Sequence, residues 1–178
     1  MTMNDSRGVP VSHDDRALID ALEAAHEDAL SFVGSPVDDV VALLADHPNF
    51  VMGHCFVAGM LTQAMETRIY GDMVRHHKAA EALHDSANDR ERGHIQAIQA
   101  WINGDFHAAI QAWGAVLVEY PLDLLAVQLA HLSDVVLGDT MIQRDRIARG
   151  FPACGESVPG YGYVLGFYSV GLEENRDY

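Results

Sequence analysis

The chain has 178 residues, with 26 Asp and Glu against 11 Lys and Arg, which gives a formal net charge of −15 at pH 7. Its composition, with 49% hydrophobic and 21% charged residues, is that of a globular protein and excludes intrinsic disorder for most of the sequence. A chain of this length buries enough surface to fold as one domain without a disulfide or a structural metal. We therefore predict that Cys55 and Cys154 are free thiols in a reducing cytoplasm.

The charge balance and the hydropathy exclude two classes of partner. The acidic excess repels phosphate backbones, and the nearest approach to a basic cluster is Arg144, Arg146 and Arg149, so nucleic acid is not expected to bind. The first eight residues hold no apolar run, and later runs such as 40–45 are far too short to span a bilayer. We expect a cytoplasmic protein without a membrane partner.

Apolar residues recur at helical spacing along most of the chain, and alternating strand-like segments are absent, so the predicted fold class is all-α. Residues 1–11 are predicted to be a disordered tail. Ser12 is predicted to open the first helix, which ends at Gly34. A Ser-Pro pair at 35–36 predicts the start of a second helix, and Asn49 the start of a third, which is apolar on most sides.

The second half of the chain carries the strongest helix signals. Asn88 and Glu91 form a predicted capping box that opens one helix. Residues 106–120 then form an unbroken amphipathic stripe, which Pro121 closes. Further helices follow after this proline, so the sequence predicts antiparallel helical hairpins joined by short turns.

Two Gly-Asp pairs, at 104–105 and 138–139, lie 34 residues apart, and each occupies the turn between two amphipathic helices. Thirty-four residues is the period of the tetratricopeptide repeat. The Ala-x3-Trp spacing at 109–113, followed by Pro121, matches the second half of that repeat with Trp in place of Phe. The predicted core and turn positions of the repeat are Trp101, Gly104, Phe106, Ala109, Trp113, Pro121 and Gly138.

Several short strings carry a more specific resemblance. They are Arg-Glu-Arg-Gly-His at 90–94, Ala-Trp-Ile-Asn-Gly-Asp at 100–105, Leu-Ala-His at 129–131, Leu-Gly-Asp at 137–139, Pro-Gly-Tyr-Gly-Tyr-Val-Leu-Gly at 159–166 and Gly-Leu-Glu-Glu at 171–174. Together they resemble the tetratricopeptide repeat protein 38-like family over roughly residues 35–178. The resemblance implies antiparallel helical hairpins stacked as a superhelix. It implies no particular reaction, and it suggests a chain truncated after the N-terminal repeats.

These observations predict the domain organisation. After the tail at 1–11, residues 12–178 are expected to form a single helical repeat domain. Within it, residues 12–87 form degenerate N-terminal hairpins and residues 88–178 form tetratricopeptide-like repeats.

The ten histidines are the one compositional oddity that suggests a site. His54, His94 and His131 each fall early in the first helix of a predicted hairpin, and first helices line the concave face of such repeats. With Gln128 they are the candidate binding residues of that face. The alternative is that each ring is a structural residue bonded to a backbone carbonyl. His76, on another helix, is predicted to lie on a solvated face.

The predicted function is a non-catalytic scaffold that binds a peptide, a helix or a partner protein in its concave groove. The net charge favours a basic or neutral partner. One alternative is a small-molecule or metal-binding protein, or an enzyme, with a pocket lined by His54, His94 and His131, and another is a self-associating structural unit. No cofactor and no metal are predicted, because no His-Glu-x-x-His or Cys-x-x-Cys spacing occurs.

The last predicted helix, at 161–172, is surrounded by apolar side chains. A terminal repeat helix normally has a polar outer side, so such a surface indicates an interface. We predict a homodimer in which Val164, Phe167 and Tyr168 meet a second copy of the chain across a two-fold axis.

Overall fold

The computed structural model describes residues 2–177 of the chain. Over this range the protein is mostly helical, which confirms the all-α class, with one short pair of strands at its N-terminus. The helices are α1 (Arg16–Ser31), α2 (Pro36–Asp46), α3 (Val51–Ala64), α4 (Tyr70–Ala82), α5 (Asp89–Ile102), α6 (Phe106–Glu119), α7 (Leu124–Leu137), α8 (Thr140–Gly150) and α9 (Tyr161–Glu174), and the strands are β1 (Met3–Asn4) and β2 (Pro10–Val11). Among the described helices, none combines the length and the hydropathy needed to cross a membrane.

Side-chain caps and glycines set the limits of the later helices. The Asn88 side chain accepts a hydrogen bond from the Glu91 backbone, and the Glu91 carboxylate accepts one from the Asn88 backbone, which forms the predicted capping box of α5. Asp123 caps α7 by accepting from the backbone three residues further on. Gly104 and Gly138 follow α5 and α7 with φ of +79° and +77°, a left-handed conformation that glycine adopts without steric cost.

Helix α3 lies at the centre of the fold. Residues 51–59 are buried without interruption, and α3 packs against α2, α4, α5 and α7. This burial explains why α3 is apolar on most of its sides. The contact between α3 and α7 joins helices that are two hairpins apart, whereas a linear solenoid joins only neighbouring repeats. Helices α2, α4, α5 and α7 are therefore gathered around α3.

The N-terminal segment is ordered, so the prediction of a disordered tail is wrong. Strand β1 pairs with β2 as a small antiparallel hairpin, and Val9 and Val11 are buried against the helices. Helix α1 starts after this hairpin, and its N-cap is Asp15 rather than Ser12. The apolar side chains Val9 and Val11 are too few to give a periodic signal, which is why the sequence pattern missed the hairpin.

The repeat positions on α5 and α6 form a compact part of the core. Trp113 and Ala109 are fully buried, and Trp101 lies beside Trp113 with 6.2 Å between ring centroids. Phe106 stacks on Trp101 but remains 40% exposed, so its assignment to the core is wrong. It is the first residue of α6, where the adjoining turn leaves one side of the ring open to solvent.

Helix α9 packs against α7 and α8. Val164 is buried in a second cluster of apolar side chains, together with Leu124 and Ile147, so its assignment to a dimer interface is wrong. Phe167 and Tyr168 are half-buried in the same cluster. The exposed apolar side chains of α9 are Leu165 and Val170.

Trp113 gives a test of the packing. Trp113→Ala should lower the free energy of unfolding by about 3 to 5 kcal/mol, because it removes a fully buried ring and leaves a cavity between α5 and α6. Urea unfolding followed by circular dichroism measures this loss. Phe106→Ala is the matched control and should cost clearly less, and a loss under about 1 kcal/mol for Trp113→Ala would contradict the packing.

Candidate functional site

The four residues predicted to bind a partner lie on first helices of successive hairpins. His54 is on α3, His94 on α5, and Gln128 and His131 on α7. All four side chains are buried, with 7% or less of each residue exposed. The prediction that these residues line an open concave groove is therefore wrong.

Helix α1 covers the part of this face around Gln128. The Nε2 atom of His26 on α1 lies 2.8 Å from Oε1 of Gln128, and its ring packs edge-on against Phe56 of α3. Ile19 and Leu22, also on α1, are buried beside these residues. Of the four residues predicted to bind a partner, Gln128 is thus closed off by the first helix of the chain itself.

The N-terminal hairpin is fastened to α5 by buried polar contacts. Arg90 Nη1 and Asn88 Nδ2 both donate hydrogen bonds to the carbonyl oxygen of Pro10, at 3.1 and 3.2 Å. The backbone N–H and the hydroxyl of Ser12 donate to the Glu91 carboxylate, which is fully buried. These contacts add hydrogen bonds to two buried charged side chains, Arg90 and Glu91.

Asp123 connects α5 to α7. Its carboxylate accepts hydrogen bonds from Arg90 Nε at 2.7 Å, from Arg90 Nη2 at 3.3 Å and from His94 Nε2 at 2.8 Å. Burial alone would raise the pKa of Asp123, but the Arg90 guanidinium and His94 outweigh burial and hold the pKa well below its usual range. The carboxylate therefore stays ionised in the interior.

His54 forms a pair with His76 of α4. The two Nδ1 atoms lie 3.1 Å apart, and His54 Nε2 lies 3.0 Å from the carbonyl oxygen of Pro48. With Nε2 of His54 donating to that carbonyl, its Nδ1 accepts from Nδ1–H of His76, so both rings are neutral. Burial, the neighbouring His54 and Arg75 lower the pKa of His76 to about 4. His76 is buried, so the prediction of a solvated ring is wrong.

His131 has yet another set of neighbours. Its Nε2 atom lies 3.0 Å from Nε2 of Gln143 on α8, and its ring stacks on Phe167 of α9 with 4.6 Å between centroids. Burial, with a contribution from Arg146, lowers the pKa of His131 to about 4. His54, His94 and His131 thus contact different partners. Within residues 2–177, no three His, Cys, Asp or Glu side chains are grouped closely enough to hold a metal ion.

Both cysteines are buried and free. Burial raises the pKa of the Cys55 thiol well above its usual value, and it also raises the pKa of Cys154. A thiol that stays protonated at neutral pH is a poor nucleophile and a poor metal ligand.

An apolar cavity of about 340 Å³ opens between α6, α7, α8 and α9, beside the single-turn 3₁₀ helix that follows α8. Its floor is formed by the buried side chains of Val127, Ile147 and Val164. Exposed residues, including Val118 and Pro152, form its rim. A partly enclosed apolar space of this size is characteristic of a ligand site.

Two arginines line the same cavity. Arg146 is buried and pairs with Asp134 through Nε at 3.0 Å and Nη2 at 3.2 Å, while Arg149 is exposed at the rim. Burial raises the pKa of Asp134, and the Arg146 hydrogen bonds oppose that effect. Pro121, a predicted turn residue of the repeat, also contributes to the wall.

The sequence pattern predicted neither the buried contacts of Asp123 with Arg90 and His94 nor the cavity. Nothing in the residue spacing pairs Asp123 with Arg90 of an earlier helix, because the contact arises only when α5 and α7 pack. One feature of the sequence pointed to the cavity. Arg146 and Arg149 lie close together in the sequence, in the segment that comes nearest to a basic cluster. Their position on the cavity wall depends on the tertiary packing of four helices.

No protein-family model matches the chain, and no solved structure matches it. The resemblance to the tetratricopeptide repeat protein 38-like family thus stays an expectation from short sequence strings. A proposal about function therefore depends on the geometry of the described residues.

The buried histidines predict a pH dependence of stability. Burial lowers the pKa of His26 from 6.5 to about 4, so between these pH values the unfolded chain binds a proton that the folded chain does not. Stability should therefore fall as the pH drops below 6.5, by about 2 kcal/mol at pH 5 from His26 alone. Urea unfolding at pH 7 and pH 5 measures the change.

His26→Gln should remove the share of this dependence that His26 contributes, because glutamine binds no proton in this range, while the shares of His76 and His131 remain. His107→Gln replaces an exposed histidine and serves as the matched control. Equal stability of the wild-type protein at the two pH values would contradict the assignment of His26 as a buried neutral ring.

Proposed function

We propose that the protein is a non-catalytic binding protein and that the cavity between α6 and α9 is its ligand site. The observation that carries the proposal is the combination of an enclosed apolar floor with arginine side chains on the wall. Ligand sites typically combine apolar walls with a few polar groups that fix the orientation of the ligand. The four residues of the predicted concave face do not offer this combination, since all of them are buried and contact partners within the fold.

The state of the ionisable side chains supports a binding role rather than catalysis. Burial favours the neutral forms of His26, His76 and His131, each of which already contacts a side-chain partner. His94 is held by Asp123 at a position with no exposed surface. A general acid or base must reach a substrate, and these rings are enclosed.

A tetratricopeptide-like arrangement of the hairpins is part of the same proposal. It is supported by the 34-residue spacing of the Gly-Asp turns and by the close packing of α3 with α4, α5 with α6, and α7 with α8. In this arrangement the ligand site lies between the last hairpins rather than along a concave groove.

A partner protein is the second candidate ligand. Phe32 and Val33, after α1, are 97% and 56% exposed, and Leu165 and Val170 of α9 are each 41% exposed. Exposed apolar side chains of this kind are typical of interfaces, and the net charge of −15 favours a basic or neutral partner. A homodimer through α9 belongs to this candidate, and light scattering would report twice the chain mass of 19.5 kDa.

The cavity can be tested with a neutral probe. We expect 1-naphthol to bind the wild-type protein at one site, because an apolar cavity of this size accepts a small aromatic molecule. Val164→Phe should weaken this binding at least about tenfold, since the larger side chain extends into the cavity. Saturation-transfer NMR with a titration of the probe measures both affinities.

Ile142→Phe is the matched control, because it makes the same kind of change on the exposed side of α8, outside the cavity. It should bind 1-naphthol like the wild-type protein. Equal binding by Val164→Phe, or no binding by the wild-type protein, would contradict the proposed site.

A further inference from the structure

We propose that the cavity takes a small molecule with an apolar body and a single carboxylate group. This inference rests on the proposed function, and it specifies the chemical class of the ligand. It follows from three features of the cavity, which are the orientation of Arg146, the net charge of the wall and the size of the apolar floor.

Arg146 is held in a fixed orientation. Asp134 accepts hydrogen bonds from its Nε and Nη2 atoms, which clamps one edge of the planar guanidinium. The remaining nitrogen, Nη1, lies 3.5 Å from the carbonyl oxygen of Ile110, at the outer limit of a hydrogen bond. Nη1 carries two N–H groups, so at least one donor is available to an acceptor in the cavity.

Gly114 of α6 makes room for this guanidinium. A methyl group added at Gly114 would overlap Nη1 of Arg146, so a larger residue would displace the guanidinium. Both residues line the cavity. The glycine therefore lets a buried cation reach the wall of an apolar space, where a charge-assisted hydrogen bond is stronger than in water.

The charges at the wall leave one net positive charge. Asp134 balances Arg146, whereas Arg149 makes no ion pair with any residue among 2–177. Asp145, one turn before Arg149, pairs with Arg144 at 2.7 Å. No acidic side chain from the described residues lines the cavity itself. A ligand with a single negative charge neutralises the one net positive charge of this wall. A phosphate dianion would carry one negative charge more than the wall can neutralise.

The floor sets the nature and size of the rest of the ligand. Val127, Ile147 and Val164 offer only aliphatic surface. A volume of about 340 Å³ lies at the lower end of the range for ligand pockets, which is about 300–1,000 Å³. An aliphatic or aromatic body with one carboxylate meets these conditions, because the guanidinium of Arg149 has donors free for a carboxylate and Nη1 of Arg146 offers a further N–H.

The experiment compares three eight-carbon probes by isothermal titration calorimetry, namely sodium octanoate, octan-1-ol and octylamine. We expect octanoate to bind the wild-type protein at one site per chain, at least about tenfold more tightly than either of the other probes. Arg149→Gln and Gly114→Ala should each bring the affinity for octanoate close to that for octan-1-ol. Arg68→Gln, at an exposed arginine outside the cavity, should leave all three affinities unchanged.

Arg149 is exposed, so Arg149→Gln retains the fold and decides the matter if Gly114→Ala unfolds. Equal affinities of octanoate and octan-1-ol for the wild-type protein would overturn the carboxylate class while leaving the cavity as a ligand site. An unchanged octanoate affinity in Arg149→Gln and Gly114→Ala would overturn it as well. Failure of all three probes and of 1-naphthol to bind would overturn the proposed function itself.

Discussion

The buried carboxylate of Asp123 is the interaction on which the rest of the fold depends. It caps α7 and accepts hydrogen bonds from Arg90 and His94 of α5, so it joins the two later hairpins at their centre. The Nη1 atom of Arg90 also donates a hydrogen bond to the carbonyl oxygen of Pro10 in the N-terminal hairpin. Removing one partner from such a group would leave a buried charge uncompensated, which is costly. One ionised side chain thus links α5, α7 and the first strands.

This linkage also fixes the position of helix α1. Because the N-terminal hairpin is fastened to α5, helix α1 is carried across α3 and α7, and His26 meets Gln128 there. Gln128, one of the residues predicted to bind a partner, is consequently part of the core. An apolar cavity lies toward the other end of the chain, around Arg146, where four helices line it and one arginine on its wall makes no ion pair among the described residues.

The sequence predicts local structure well and tertiary placement poorly. The capping box of Asn88 and Glu91 follows from spacing alone, because helix starts are set by residues a few positions apart. The burial of Trp113 likewise agrees with its position in an amphipathic stripe. The contact of Ser12 with Glu91 joins residues far apart in the chain and leaves no periodic trace. The histidines were misplaced for the same reason, since His54, His94 and His131 are buried by contacts with His76, Asp123 and Gln143, which lie far from them in the sequence.

Hydrogen–deuterium exchange measured by mass spectrometry tests most directly whether the chain closes its own concave face. The decisive peptide spans residues 5–12, where the Val9 and Ser12 amides donate to buried carboxylates of Asp5 and Glu91. The account predicts that these amides exchange far more slowly than an unstructured peptide, at rates that rise in Asp123→Asn. Complete exchange of this segment at the earliest time point would show a free tail, and the concave face would then be open to a partner.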